Sequence, residues 1–312
     1  MDRDEILYIS PITDLGFKKC FRDEIVMKGF LTALFESAGI EMNIVSITYL
    51  NNEEDGDTEA SRRVIFDLRC KLDTGEEIII EMQNERQSFI KERMVYYVAR
   101  GIANQGDIIT RRGKSVTRKE KKKWNYDIKK VIGIFLLNFK LPGEESTKVA
   151  RHCLVNMNKK QKHISSDKLE FWTIQLPYYR RRKIKPEDCK KKLDYWLYNI
   201  ANMDKMKTTM PFIDKSEAIA RFNDLARFHA IPVKDQDRYM REYDDCVVIE
   251  DVINLRINEA VNKAIAKNEK RIEKREKKKA AIEIAYKLKS KGNSVEFIAE
   301  ITGLSPEEIE KL

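Results

Sequence analysis

The sequence predicts an α/β protein, with a central mixed sheet flanked by helices and then a mainly helical C-terminal region. Three observations carry this. Between Val64 and Gln83, apolar and polar residues alternate at period two around a short break that contains glycine. From Lys130 to Phe139 runs a short, strongly apolar, β-rich stretch. Between these two strand signals, and again after Pro186, apolar residues recur at helical spacing. Alternation marks a half-buried strand, a short continuous apolar run marks a buried one, and a 3.6-residue period marks a helix.

The first observation gives a β-hairpin. Val64, Phe66, Leu68, Cys70 and Leu72 fall on one face, and Ile65, Asp67, Arg69 and Lys71 on the other. After Asp73-Thr74-Gly75 the alternation resumes, with Ile78, Ile80 and Met82 on one side and Glu77, Ile79, Glu81 and Gln83 opposite. A three-residue loop ending in a left-handed Gly75 closes such a hairpin. It pairs Leu72 with Glu76, Arg69 with Ile79 and Asp67 with Glu81. The apolar pairs are then Phe66 with Met82, Leu68 with Ile80, and Cys70 with Ile78. One register therefore satisfies the core face and sets two carboxylates side by side on the other. Carboxylates across a ladder repel unless a cation sits between them, and a hard ion such as Mg²⁺ binds one or two carboxylates and keeps several waters. The alternative is an ordinary hairpin whose charged face is screened by Arg69 and Lys71.

The other elements follow in order. Ser10-Pro11-Ile12-Thr13-Asp14 is helix-start chemistry, and Phe17, Phe21, Leu31, Leu34 and Phe35 mark helical surfaces facing a core up to about Gly39. Asp14 and Lys18 stand four apart and share a helix face, as a cap and ion pair at the least. Asn43 to Asn51 reads as a strand, and Glu53 to Asp57 as an acidic turn. After Gln83, Ile90, Met94, Tyr97, Val98, Gly101 and Ile102 repeat at helical spacing, beside a stripe of Phe89, Arg93, Tyr96 and Arg100. Arginines interleaved with aromatics either grip phosphates and bases or decorate a half-covered helix. Arg111 to Lys130 is the densest basic stretch, either a contact for a nucleic-acid backbone or a solvated surface loop. Val149 to Val155 and Leu169 to Leu176 read as strands after the apolar run, which makes His152 and His163 structural or loop residues.

Beyond Pro186 come helices marked by Trp196, Leu197, Ile200 and Met203, then by Ala218, Phe222, Leu225 and Phe228, then a long one from about Val233 through Lys279. Its segment Glu269 to Lys279 is almost wholly charged, as in a solvent-exposed or coiled linker helix. Asn293-Ser294-Val295-Glu296 and Ser305-Pro306-Glu307-Glu308 are two helix starts of capping-box type. They give Val295 to Leu312 a helix-turn-helix outline. Its second helix offers Glu307, Glu308 and Glu310 against Lys311, which favours packing or oligomerisation over DNA reading. The expected divisions are 1–183, an α/β domain; 184–279, a helical region with the charged linker helix; and 280–312, the helix-turn-helix-like tail.

Composition narrows the classes. At 312 residues the chain can bury a sizeable core, and its net charge of +9 suits a polyanionic partner. Five scattered cysteines without a CxxC, and three histidines, give neither a zinc site nor a disulfide framework. Reduced thiols in a cytoplasm are the simplest reading. No apolar run reaches the length of a membrane span.

Asp67 followed across a hairpin by Glu81-Met82-Gln83 resembles the PD-(D/E)XK nuclease fold. More narrowly it is similar to the recombination-promoting branch, the PD-(D/E)XK nuclease family transposases. The opening Asp14-Leu15-Gly16-Phe17-Lys18-Lys19-Cys20-Phe21 matches that branch's D-x-x-F-K-x-x-F. So do Arg93, Tyr96-Tyr97 and Arg100, and the tail from Ile298-Ala299 through Thr302-Gly303-Leu304-Ser305. The resemblance covers about residues 8 to 105 and, more loosely, about the last thirty.

It implies a metal-dependent DNA endonuclease associated with recombination or transposon-like elements. By resemblance Asp67 and Glu81 bind Mg²⁺, or Mn²⁺ or Ca²⁺ in its place, with the Met82 carbonyl as a backbone ligand and Asp14 helping through water. Gln83 stands where most of the superfamily carries a lysine, and the branch itself carries glutamine there. Glutamine orients water but supplies no charge, so either Lys18 or Arg93 is left to provide it. Lys18, Arg93 and Tyr97 are the implied contacts to substrate and supports of the site. DNA is the implied partner, with self-association through the helical C-terminal region open. Two alternatives remain at this point: a catalytically silent nucleic-acid-binding or assembly protein that keeps the fold, and a nuclease acting on RNA.

Overall fold

The apolar run after Lys130 becomes the strand around which the sheet is built. The structure is a computed structural model describing residues 3–50, 53–54, 64–111, 127–157, 163–180 and 183–312. In chain order its strands are Ile47–Tyr49 (β1), Glu53–Glu54 (β2), Val64–Ile65 (β3), Leu68–Leu72 (β4), Glu77–Gln83 (β5), Val131–Leu137 (β6), Val149–Asn156 (β7) and His163–Gln175 (β8). Six of them form one mixed sheet in the order β1-β4-β5-β6-β8-β7, and β2 pairs with β3 apart from it. β6 runs parallel to both its neighbours and is buried at every position, as expected of a strand covered on both faces.

The hairpin has the expected register. Leu68 pairs with Ile80, Arg69 with Ile79 and Cys70 with Ile78, and the Leu72 N–H donates to the Glu76 carbonyl at 2.9 Å. Gly75 takes φ +98°, a conformation open to glycine at little cost. On the opposite face of this pair Arg69 and Glu77 form a buried ion pair.

The two faces of the sheet carry different helices. One face, with Leu68, Cys70, Ile78, Ile80, Ile132, Ile134, Trp172 and Ile174, packs against Asp14–Phe21 (α1) and Glu24–Ser37 (α2). Thr13 caps α1 by accepting the Gly16 N–H, and Asp23 caps α2. The other face, with Ile79, Val131, Phe135 and Leu137, packs against Ile90–Arg111 (α3) through Ile90, Met94 and Val98. Here Gly133 permits close approach, because a Cβ on it would stand 2.6 Å from Val98 Cγ2. Gly133→Ala is therefore expected to destabilise the fold by about 1–3 kcal/mol through overpacking. A lower urea midpoint at unchanged slope would register it.

The helices after Pro186 share the first core. Lys192–Asn202 (α4) and Glu217–Leu225 (α5) bring Trp196 and Phe222 against each other and against Phe30 and Phe21. Val233–Ser290 (α6) follows as one helix of 58 residues. Contacts divide the chain into residues 1–249 and 250–312, so α4, α5 and the start of α6 belong with the sheet. In the second unit the end of α6 packs with Val295–Thr302 (α7) and Pro306–Glu310 (α8) around Ala285, Ile298, Leu304 and Ile309. Ser294 and Ser305 cap α7 and α8, the latter with the reciprocal Glu308 bond of a capping box.

Some expectations shift. β1 is shorter than Asn43 to Asn51, and β8 begins at His163 rather than near Leu169. His152 stacks on Phe171 at 4.5 Å between ring centres, a structural place. Most of the acidic turn and most of the basic stretch from Arg111 to Lys130 lie outside the described residues. Among the described residues no helix is long and apolar enough to cross a membrane.

Candidate active site

The acidic pair sits where β4 stops short. Leu68 and Ile80 are the last paired residues, and one more step of the ladder would give the Met82 N–H to the Phe66 carbonyl. The chain bends at Asp67 instead, and the carboxylate takes that donor: Met82 N–H donates to Asp67 Oδ2 at 2.8 Å. In return the Asp67 N–H donates to Glu81 Oε1 at 2.9 Å. The expected ladder pair of Asp67 with Glu81 is not formed, since pairing ends at Leu68 and Ile80; the two acids are tied together instead by side chain, each holding a backbone donor from the other's side of the hairpin.

The bend overturns one expectation. Phe66 was expected beside Leu68 and across from Met82. It lies instead in the core under α3 with Ile79, its ring edge-on to Tyr97 at 5.5 Å. Once Asp67 leaves the ladder the alternation of faces is broken, and the residue before it crosses to the other side of the sheet.

Around the pair stand three groups singled out in the sequence. Gln83 Nε2 donates to Glu81 Oε2 at 3.2 Å, so in the structure it orients the acid. Arg93 donates through Nη2 to the Tyr97 hydroxyl at 2.8 Å and through Nη1 to Gln87 Oε1 at 2.9 Å, with its guanidinium 4.9 Å from the Tyr97 ring centre. Burial pushes the Asp67 carboxyl up to about 6; the Met82 N–H bond and the charges of Lys18 and Arg93 oppose that rise, and Asp14 adds to it. Burial, then the Asp67 charge, push Glu81 well above the usual carboxylate range, against the Asp67 N–H bond, Arg93 and Gln83. Tyr97 is also raised, by burial and then by Glu81.

Asp14 is near enough to act on Asp67, but its oxygens are engaged. Oδ1 lies 2.6 Å from Lys18 Nζ, and Oδ2 accepts from Arg238 Nη2 at 2.9 Å. Arg238 also donates to Glu242 Oε1 at 2.7 Å, and Glu242 Oε2 accepts the Leu15 N–H at 2.8 Å, one of the open donors at the start of α1. Sequence reasoning found the Asp14–Lys18 pair and missed Arg238 and Glu242. Arg238 lies 224 positions away on another helix, and no local spacing signals it.

The residues fit a hard divalent ion. Among the described residues no three His, Cys, Asp or Glu side chains converge as a cage. The donor set is two carboxylates, with the Met82 carbonyl on the strand edge to which its N–H also points. Few oxygen donors, leaving the remaining positions to water and substrate, is the pattern Mg²⁺ accepts. A half-buried and a buried acid that favour protonation in the absence of a cation are stabilised in their ionised forms when one binds.

A six-stranded mixed sheet flanked by helices, with a central hairpin that joins an aspartate to a glutamate and a helical C-terminal region, is an α/β fold of the PD-(D/E)XK type. The chain belongs to the PD-(D/E)XK nuclease family transposases, whose family model matches residues 11–291. Among curated proteins and among solved structures nothing matches it. Membership implies hydrolase chemistry of the nuclease kind.

Proposed function

We propose that this chain is a divalent-metal-dependent endonuclease that hydrolyses DNA phosphodiester bonds in recombination or in the movement of transposon-like elements. The observation that carries the reading is the reciprocal bonding of Asp67 and Glu81, which holds a half-buried and a buried acid together where neither is comfortable as an anion. Asp67, Glu81 and the Met82 carbonyl would hold Mg²⁺, and Mn²⁺ or Ca²⁺ suits the same oxygens. The ion supplies Lewis-acid polarisation of the scissile phosphate and lowers the pKa of the attacking water.

This chain's own residues do the rest. Gln83 steadies Glu81 through Oε2 and brings no charge. Lys18 is engaged with Asp14, so Arg93 is the better source of the positive charge that a lysine at position 83 would supply. Tyr97 and Gln87 hold its guanidinium in place. Asp14 stands by through water, from within its pairs with Lys18 and Arg238. Phe89 and Tyr96, both exposed beside Arg93, offer aromatic faces to bases, and the +9 net charge favours a polyanion. The free cysteines agree with a reducing cytoplasm as the place of work.

Arg93→Gln is expected to lower the cleavage rate about 100-fold, and Arg93→Lys to recover part of it, since lysine restores charge without the planar fork. Initial rates at saturating Mn²⁺ check this. The reading as a whole is tested by incubating supercoiled plasmid with Mg²⁺ or Mn²⁺ and offering single-stranded RNA in competition. Nicked or linear DNA that disappears with chelator is expected. Preferential loss of the RNA would move the substrate class. Intact plasmid under both ions would favour the catalytically silent reading, which has one observation on its side: the Asp14 oxygens and both Glu81 oxygens already have partners within the protein.

A further inference from the structure

Among the described side chains of the second unit, the long helix α6 carries an exposed apolar face. Val252, Leu255, Val261 and Ile265 are 43%, 61%, 48% and 50% exposed. Wound at seven residues per two turns, Leu255 takes position a and Ile265 position d, with Val252 at e and Val261 at g. All four therefore lie on one face, with Asn258 at d and Asn262 at a between them.

The charges along the same helix are divided by sign. Residues 244–259 carry five acids (Asp244, Asp245, Glu250, Asp251 and Glu259) against Arg256 alone. Residues 263–279 carry nine lysines and arginines against three glutamates. A second copy laid parallel would set acid beside acid and base beside base. Laid antiparallel, it sets each acidic block beside the other copy's basic block.

We infer that the chain self-associates through α6 as an antiparallel two-helix coiled coil, with Leu255 of each copy packed against Ile265 of the other. In antiparallel coils a residues face d residues. That register also brings Asn258 against Asn262, a polar layer that fixes alignment at some expense of strength. Val261 flanks the two-fold axis. The seam ends where the register brings Asp251 against Glu269, so it spans only residues 252–268 and is weak and concentration-dependent. The opposed charges that orient it lie beyond the seam, in the flanking acidic and basic blocks (Glu250 toward Lys270, Asp245 toward Arg275), and make it salt-sensitive. The inference is independent of the proposed nuclease activity, since none of its residues belongs to the acidic site.

Sedimentation equilibrium of the full chain tests it. The mass is expected to rise from one chain toward two across the micromolar range, and to fall back as salt is added. Leu255→Asn and Ile265→Asn are each expected to stay monomeric with unchanged helical circular dichroism, because both side chains are exposed in the single chain. Orientation is read by disulfide trapping after the half-exposed Cys153 and Cys246 are changed to serine. Leu255→Cys mixed with Ile265→Cys should cross-link far more than either variant alone. A chain that stays monomeric at every concentration overturns the inference. So does cross-linking of each variant with itself alone, which denotes a parallel pair. Doubling that occurs only when DNA is added also overturns it, and would make the basic block a polyanion contact.

Discussion

Asp67→Asn is expected to abolish divalent-dependent cleavage, by about 1,000-fold or more. The amide is nearly isosteric, and its carbonyl oxygen can still accept the Met82 N–H, so the bend and the fold are retained. What is lost is one of the two negative charges that would hold the ion. Glu81→Gln should be equally severe, since Glu81 has the Asp67 N–H on one oxygen and Gln83 on the other. The measurement is the initial rate of plasmid nicking, with Mn²⁺ affinity followed separately by calorimetry. Cleavage at full rate by Asp67→Asn would remove the site assignment outright. Lost Mn²⁺ binding by a variant of a protein that cleaves nothing would leave the metal site standing and favour the silent reading.

The same substitution is expected to make the metal-free protein more stable. Burial pushes the Asp67 carboxyl up to about 6, from 3.8 for the free group, and displaces Glu81 in the same direction. The folded state therefore holds these protons more tightly than the unfolded state does. Stability then falls as pH rises through the window between the unfolded and folded values. The penalty is absent below the unfolded pKa and complete above the folded one. At about pH 8 Asp67→Asn should melt several degrees above the parent in chelator; at about pH 5 the gap should narrow, and below about pH 4 it should close. Saturating Mn²⁺ should raise the parent's melting temperature at the higher pH and leave the variant's nearly unchanged. A variant that melts below the parent at the higher pH would show that the carboxylate is stabilising there, contrary to its burial.

The hairpin was legible because two signals agreed on it. Alternation from Leu68 to Met82 and a glycine at the end of a three-residue break admit one register, which the pairs Leu68–Ile80 and Cys70–Ile78 follow. The bend at Asp67 was not legible. Val64, Phe66 and Leu68 keep period two straight through it, and only a side chain taking over a backbone acceptor's work breaks the ladder. The same holds for Arg238 and Glu242, whose link to Asp14 exists only after α6 has packed beside α1. Helical spacing marked the elements from Trp196 to Phe228, but spacing does not say which core a helix joins. Trp196 and Phe222 join the one beneath the sheet.

The closing of the hairpin has a consequence for how this gene can change in length. Adding a single codon within Leu68–Leu72 would swap inward and outward neighbours on that arm, sliding the aspartate out of step with its glutamate while driving Arg69 toward oil. The reversal at Asp73-Thr74-Gly75 has no such arithmetic to keep, and extra residues there need only loop outward. Insertions in a library of this protein should therefore survive at the tip and vanish from the arms, even where the inserted residue is innocuous.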